Sequence, residues 1–195
     1  MGTLRIIAGE FRGRRIRVPE GRTVRPTPDR VREALFSILG SELSGLEVLE
    51  LYAGSGALGF EALSRGALRV TFIESDEAVR AVLSSNAEGL GLAGRCRILA
   101  GSVERLLGEG TARLGGPYTL VLADPPYATP AGPEVLRALE KPGLLGPDAR
   151  VVLQRDRRSP SAEDTPRSGG LVRVRTTQYG RNCLEFYAFS ENPSA

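Results

Sequence analysis

Between Glu47 and Gln154 short apolar runs alternate with amphipathic stretches, and few folds tolerate that rhythm. The runs Glu47 to Ala53, Leu68 to Glu74, Arg97 to Ala100, Tyr118 to Ala123 and Ala149 to Gln154 read as strands. Between them Ala57 to Arg65, Asp76 to Leu90, Ser102 to Leu107 and Pro133 to Glu140 read as helices, with Gly66 and Gly91 where C-terminal caps belong. Strands separated by helices cannot close as hairpins, so they predict a parallel sheet covered on both faces. Arg155 to Gly170, rich in Arg, Ser, Pro and Gly, reads as a long loop. Leu171 to Gln178 and Leu184 to Phe189 then flank Tyr179-Gly180-Arg181-Asn182, a connection so short that it forces an antiparallel hairpin and ends the sheet in a reversed strand.

The stretch before this alternation is different in character. Leu4, Ile6, Phe11, Ile16 and Val18, interrupted by Gly9 and Gly13, predict a short twisted hairpin. Arg25-Pro26-Thr27-Pro28-Asp29 predicts a helix start with Thr27 as N-cap and Pro28 at the first helical position. That helix should bury Val31, Leu35, Ile38 and Leu39, turn Arg30, Arg32 and Glu33 elsewhere, and stop at Gly40. Residues 1 to 32 hold nine arginines against Glu10, Glu20 and Asp29, a net +6, which leaves −3 for the rest of a chain whose total is +3. A basic arm on a mildly acidic body suits a phosphate backbone, and Arg12, Arg14, Arg15, Arg17, Arg25 and Arg32 are the candidate contacts. The expected division is a basic hairpin over residues 1–24 and one α/β domain over 25–195.

Composition removes several chemistries. Histidine is absent, and Cys96 and Cys183 stand far apart, so a zinc site, a Ser-His-Asp triad or a Cys-His pair lacks its usual parts and no metal is expected. Two distant cysteines also point to a reduced compartment. No apolar run approaches the roughly 20 residues that span a bilayer, and no signal-peptide h-region follows Met1; the expectation is a cytoplasmic protein.

Glu50-Leu51-Tyr52-Ala53-Gly54-Ser55-Gly56-Ala57-Leu58-Gly59 lies between the first strand of the alternation and its helix and contains G-x-G-x-x-G, with Glu74 at the end of the next strand. That pattern makes a dinucleotide dehydrogenase the first guess. Glu50 argues against it, because a carboxylate inside the strand end repels a pyrophosphate and suits an amine or a sulfonium. Nothing in the chain supplies hydride-transfer chemistry. S-adenosylmethionine fits better, with Glu50, Tyr52, Ala53, Gly54, Gly56, Glu74, Ser102, Val103 and Asp124 as candidate cofactor contacts. Plain alternatives stand beside these: Glu50 as a strand-edge charge, Gly56 and Gly59 as packing glycines, Ser102 as an N-cap.

Asp124-Pro125-Pro126-Tyr127 leaves the most apolar strand in a stiff extended conformation, since two prolines cannot continue a ladder. Read plainly it is a proline turn. Read as a site, Asp124 and the Pro125 carbonyl accept from an exocyclic amine while Tyr127 stacks on the ring that carries it; Asp124, Pro125, Pro126 and Tyr127 are the candidate catalytic segment. An amine held by two acceptors is pushed toward tetrahedral geometry, and its lone pair then points at the methyl donor.

Glu50 to Gly56, Asp124 to Tyr127, the opening Arg5-Ile6-Ile7-Ala8-Gly9 and the segment Arg25-Pro26-Thr27-Pro28-Asp29-Arg30-Val31-Arg32-Glu33 together resemble the bacterial 16S rRNA guanine-N2 methyltransferases. The likeness spans nearly the whole chain, and Arg25 to Glu33 is its most specific part. It implies a class I methyltransferase fold, a Rossmann-like α/β sheet with an antiparallel C-terminal hairpin strand. It also implies methyl transfer from S-adenosylmethionine, leaving S-adenosylhomocysteine, to the N2 amine of one 16S rRNA guanine in the small ribosomal subunit. Carried over by position, Glu50, Gly54, Gly56 and Glu74 bind the cofactor and Asp124 to Tyr127 receive the guanine. Gly101-Ser102 departs from the acidic residue that many methyltransferases place on the adenine amine. Competing readings are an amino methyltransferase acting on adenine N6 or cytosine N4 in DNA or another RNA, a glutamine methyltransferase of release factors, and a non-catalytic RNA-binding assembly factor. A monomer is the expected state.

Overall fold

The computed structural model describes residues 2–19, 27–40, 43–126, 131–159 and 170–189. β1 (Gly2–Arg5) and β2 (Arg15–Val18) form the expected antiparallel hairpin, with Leu4 opposite Ile16. Helix α1 (Asp29–Leu39) follows. The alternation then delivers β3 (Glu47–Leu51), α2 (Ala57–Ser64), β4 (Arg69–Glu74), α3 (Glu77–Leu90), a 3-10 turn (Ala93–Arg95), β5 (Cys96–Ala100), α4 (Val103–Glu109), α5 (Thr111–Leu114), β6 (Tyr118–Ala123), α6 (Ala131–Leu139), β7 (Leu145–Asp156), β8 (Leu171–Tyr179) and β9 (Asn182–Phe189).

The strands β3 to β9 make one seven-stranded sheet in the order β5-β4-β3-β6-β7-β9-β8. Pairings are parallel from β5 through β7, and β9 runs antiparallel to both β7 and β8. The chain therefore builds outward from β3 to β5 and returns to the other side of β3 with β6. Between β3 and β6 the connections leave in opposite directions, and a crevice opens at the strands' C-terminal ends. Leu51 pairs in register with Ala123, so the residues after each emerge side by side.

Alternation of side chains along the strands supplies both faces. Val48, Phe72, Leu120, Leu122 and Val152 pack with Leu35, Phe36, Phe60 and Leu83 of α1, α2 and α3. Leu49, Leu51, Ile73, Val121 and Leu153 pack with Leu106, Leu107, Val135 and Leu136 of α4 and α6. Ile6 and Ile16 of the hairpin region are each 1 % exposed and belong to the first of these cores. Each fully buried side chain of this size contributes roughly 1.5–3 kcal/mol.

Local departures have local causes. Thr27 is not the cap of α1: Pro28 holds that position without a side-chain bond, and the Thr27 hydroxyl donates instead to Asp124. Helix α5 lies between Gly110 and Gly115 and is too short to show a period. Strand β7 begins four residues earlier than its apolar run, with a register shift opposite Tyr118 and Leu120. The segment 160–169 of the expected loop lies outside the described residues, whereas Arg155 and Asp156 belong to β7.

Candidate active site

The glycine loop turns on backbone that few side chains tolerate. Tyr52, Gly54 and Gly56 have φ of 56°, 54° and 76°, and Gly56 is the left-handed N-cap of α2. Beneath the loop Glu50 is 4 % exposed, and its Oε2 accepts the Gly59 amide at 2.7 Å. Burial pushes its carboxyl up to about 8, against the opposing pull of the Gly59 and Leu58 amides. Asp124 and Glu74 raise it further, so three carboxylates share the crevice. Gly59 is required by contact: a Cβ there would lie 2.6 Å from Glu50 Oε2 and overlap the Phe72 ring.

Glu74, at the tip of β4, accepts the Gly54 amide at Oε2 (2.9 Å) and the Asp76 amide at Oε1 (2.9 Å). It thereby pins the loop to the next strand. Ala53 is buried, and its amide donates to Ile73 O at 3.0 Å. The Tyr52 hydroxyl donates to Glu104 at 2.8 Å, and burial together with that bond holds the phenol well above its usual range. Ser102 is exposed and caps α4, accepting the Arg105 amide at 3.3 Å, while Val103 is 2 % exposed within the second core. The plain reading of Ser102 thus accounts for its side chain.

Asp124 follows β6 immediately. Its Oδ2 accepts from Thr27 Oγ1 at 3.1 Å and from Gln154 Nε2 at 2.9 Å, and Gln154 Nε2 also donates to Thr27 Oγ1 at 3.3 Å. Among the described residues Oδ1 has no protein partner. Burial pushes the carboxyl up to about 7, opposed by the Thr27 hydroxyl. Pro125 is half-buried and Pro126 exposed; Tyr127 lies outside the described residues.

Thr27 and Gln154 were not legible as site residues. The one available signal is register, because Ala123 pairs with Leu153 and so seats residue 154 beside residue 124. Strand order had to be known before that could be used.

The basic residues are placed less uniformly than their clustering in the sequence suggests. Arg12, Arg14, Arg15 and Arg17 are exposed. Arg14 donates to Gly89 O at 2.8 Å, and Arg17 to Ser85 Oγ at 3.4 Å. The hairpin turn meets Ser64 at the far end of α2, where the Glu10 amide donates to Ser64 O at 2.7 Å. Arg12 and Arg14 therefore sit toward the end of the sheet opposite Asp124. Arg25 lies outside the described residues. Arg32 corrects the sequence reading: it is 0 % exposed, not turned to solvent, and its Nη2 donates to Arg5 O and to Asp29 Oδ1, each at 2.8 Å. The long stem lets a helical residue reach the β1 backbone, and this pairing holds the Asp29 carboxyl below its usual range.

An acidic crevice at the switch point of a parallel sheet fits a cationic ligand and opposes a pyrophosphate. Among the described residues no group of three His, Cys, Asp or Glu side chains has metal-site geometry, and no helix is long and apolar enough to cross a membrane.

Comparison with known proteins agrees with this architecture. The family described as "Conserved hypothetical protein 95" matches residues 4–188. "Ribosomal RNA small subunit methyltransferase D" of Escherichia coli (strain K12) is 40 % identical over 153 residues, covering 78 % of this chain and 75 % of that protein. The same-named protein of Haemophilus influenzae is 34 % identical over 177 residues, covering 90 % of each. The solved structure named "Putative methyltransferase yhhF from Escherichia coli" superposes with a TM-score of 0.81 at 34 % identity, covering 98 % of this chain and all of that one. The sheet is thus the class I methyltransferase sheet, and the chain belongs to the conserved hypothetical protein 95 family, that of the small-subunit rRNA methyltransferases D.

Proposed function

We propose that the protein methylates the exocyclic N2 amine of a guanine in 16S rRNA, with S-adenosylmethionine as donor. The observation that carries this is Asp124: an enclosed carboxylate at the crevice, with Oδ2 held by two neutral donors and Oδ1 without a protein partner among the described residues. The names of the relatives supply the substrate class, small-subunit rRNA.

The crevice suits the donor. It gathers the carboxyls of Glu50, Glu74 and Asp124; a bound sulfonium and amine would draw the raised Glu50 and Asp124 toward their ionised forms, and the left-handed backbone at Gly54 and Gly56 brings peptide groups to its floor. Glu50, Tyr52, Ala53, Gly54, Gly56 and Glu74 would hold it, with Ser102 and Val103 along the adjacent wall. When bound, it supplies a methyl group on a sulfonium centre that departs as a neutral thioether.

The chain's own residues prepare the acceptor. Asp124 Oδ1 takes one N–H of the amine and the Pro125 carbonyl takes the other, which shifts the nitrogen toward tetrahedral geometry and withdraws its lone pair from conjugation with the ring. As the N–C bond forms, the amine becomes acidic, and its surplus proton passes to Oδ1 and on to water. A carboxyl titrating near neutrality is matched to that transfer. Tyr127 would stack on the base, a contact of about 1–3 kcal/mol. Arg12, Arg14, Arg15, Arg17 and Arg25 would engage RNA phosphates.

The test is a labelled-methyl assay offering small subunits, naked rRNA, DNA and protein in parallel, followed by mapping of the labelled atom. Label on guanine N2 of 16S rRNA is expected. Label on adenine N6 or on DNA would replace the proposed substrate, and no transfer to any of them would favour an assembly factor.

A further inference from the structure

The amide side chain of Gln154 has no part in the core it sits in. It is 2 % exposed on β7, follows the buried Leu153 and pairs with the buried Leu184 of β9, in a position where an apolar residue would pack without any polar requirement. Its Nε2 serves two oxygens, Asp124 Oδ2 at 2.9 Å and Thr27 Oγ1 at 3.3 Å, while its Oε1 is buried with no partner. An amide that leaves its own carbonyl unmatched is not placed for its own satisfaction. Thr27 completes the arrangement. It is 7 % exposed, forgoes the capping position of α1, donates its only hydroxyl proton to Asp124 and accepts from Gln154.

We propose that Gln154 and Thr27 are positioning residues for methyl transfer: together they fix Oδ2 of Asp124 so that Oδ1 is presented to the incoming amine. This rests on the reading of Asp124 as the amine acceptor. A carboxylate can rotate about its Cβ–Cγ bond and offer either oxygen in either direction. Two donors converging on one oxygen, from α1's approach and from β7, remove that freedom, and preorganised acceptors act without reorganisation at the moment of reaction. Both donors are neutral, so they orient the charge without cancelling it.

The surrounding charges leave these two residues as the groups in control. Glu50 on β3 is the ionisable group that interacts with Asp124 across the crevice, and it lies next to Glu74 of β4. On β7, Asp156 is paired with Arg181 at 2.9 Å, and at the start of α1 Asp29 is paired with Arg32 at 2.8 Å. No arginine among the described residues is bonded to Asp124. Loss of the Thr27 hydroxyl should then raise the pH at which Asp124 ionises, the Gln154 N–H should act in the same sense as a donor to the charged form, and loss of either should free its orientation.

The experiment measures kcat against pH for methyl transfer to rRNA, with cofactor affinity read separately by calorimetry. Gln154→Leu and Thr27→Val are each expected to lower kcat at pH 7 by about 10- to 100-fold, leave cofactor Kd within a factor of about two, and move the acid limb of the profile to higher pH. Thr27→Ser should restore both rate and limb. Gln154→Glu sets a second carboxyl against Asp124 and should move the limb by about one pH unit or more. Wild-type kcat and an unmoved limb in Gln154→Leu and Thr27→Val overturn the proposal. If Gln154→Leu no longer binds cofactor, the Thr27→Val and Thr27→Ser pair decides by the same criteria. Asp124→Ala, run alongside, separates the two levels: activity in that variant removes the acceptor reading itself, whereas an inactive Asp124→Ala beside unaffected Gln154 and Thr27 variants overturns the positioning roles alone.

Discussion

Oε2 of Glu61, in the last turn of α2, accepts the amide of Ile7 at 2.7 Å, so a buried carboxylate of the sheet's own helix fastens the basic hairpin to the body. Its Oε1 accepts the Ala8 amide at 3.0 Å and Arg65 Nε at 2.9 Å, and the side chain is wholly buried.

Glu61→Ala should accordingly act as the loss of a buried charge pair. It strands Arg65 and two amides at a cost of about 3–5 kcal/mol. At about 2–4 °C per kcal/mol for a chain of this size, the melting midpoint should fall by roughly 6–20 °C. Amide exchange at Ile7 and Ala8 should accelerate ahead of the sheet. Glu61→Gln, which keeps an acceptor, should lose less.

Asp124→Asn is expected to abolish methyl transfer and still stabilise the fold at alkaline pH. Burial raises this carboxyl from an ordinary 3.8 to about 7, so between those values the folded protein holds a proton that the unfolded chain releases. The stability associated with the group is complete below about pH 4 and is lost as pH rises through about 7. Asparagine does not titrate. Thermal melts should therefore show an advantage for the variant that grows from about pH 5 to about pH 8.5; an equal difference at both would contradict the burial of charge as its cause.

Two helical glycines should respond in opposite directions to alanine. Gly59→Ala drives a Cβ toward Glu50 Oε2 and the Phe72 ring, and overpacking of that kind costs about 1–3 kcal/mol. Gly89 in α3 has open space at its Cβ, so Gly89→Ala should gain about 0.5–1 kcal/mol by restricting the unfolded chain. Denaturant midpoints that move the same way for both would refute the distinction.

Arginines of the first 32 residues should separate into two classes. Alanine at Arg12 or Arg15 should weaken binding to rRNA fragments and reduce the slope of log K against log salt by about 1 for each phosphate left without its arginine. Arg32→Met should leave that slope unchanged and lower stability by about 1–3 kcal/mol, because Arg5 O and Asp29 lose their buried donor. A salt slope altered by Arg32→Met would return that residue to the RNA-facing set.

The sheet was legible because its strands carry their boundaries in the sequence. Tyr118–Ala123 is an unbroken apolar run ended by Asp124 and two prolines, and it is β6 without adjustment. The glycine loop was legible for a similar reason, since left-handed backbone at Gly54 and Gly56 restricts the residue type. What escaped depends on three-dimensional partners. Thr27 has the chemistry of an N-cap, and only the proximity of Asp124 diverts its hydroxyl. Arg32 follows a buried position by one residue, and its inward course is set by a β1 carbonyl 27 residues away. Gln154 at the end of a strand carries no distinguishing mark until β7 lies beside β6.

Asn86 of α3 is 5 % exposed and joins two regions that the sequence treats separately. Its Oδ1 accepts the Arg17 amide at 2.8 Å, and its Nδ2 donates to Arg17 O at 2.9 Å and to Ser55 O at 3.1 Å. One planar amide thus grips strand β2 with both its atoms and the glycine loop with a spare proton. Neither can slide relative to α3 without abandoning a buried hydrogen bond, at about 1–3 kcal/mol for the group left unmatched. Hairpin and loop are thus moored to α3 through the same side chain, and replacing Asn86 removes the anchorage of both at once.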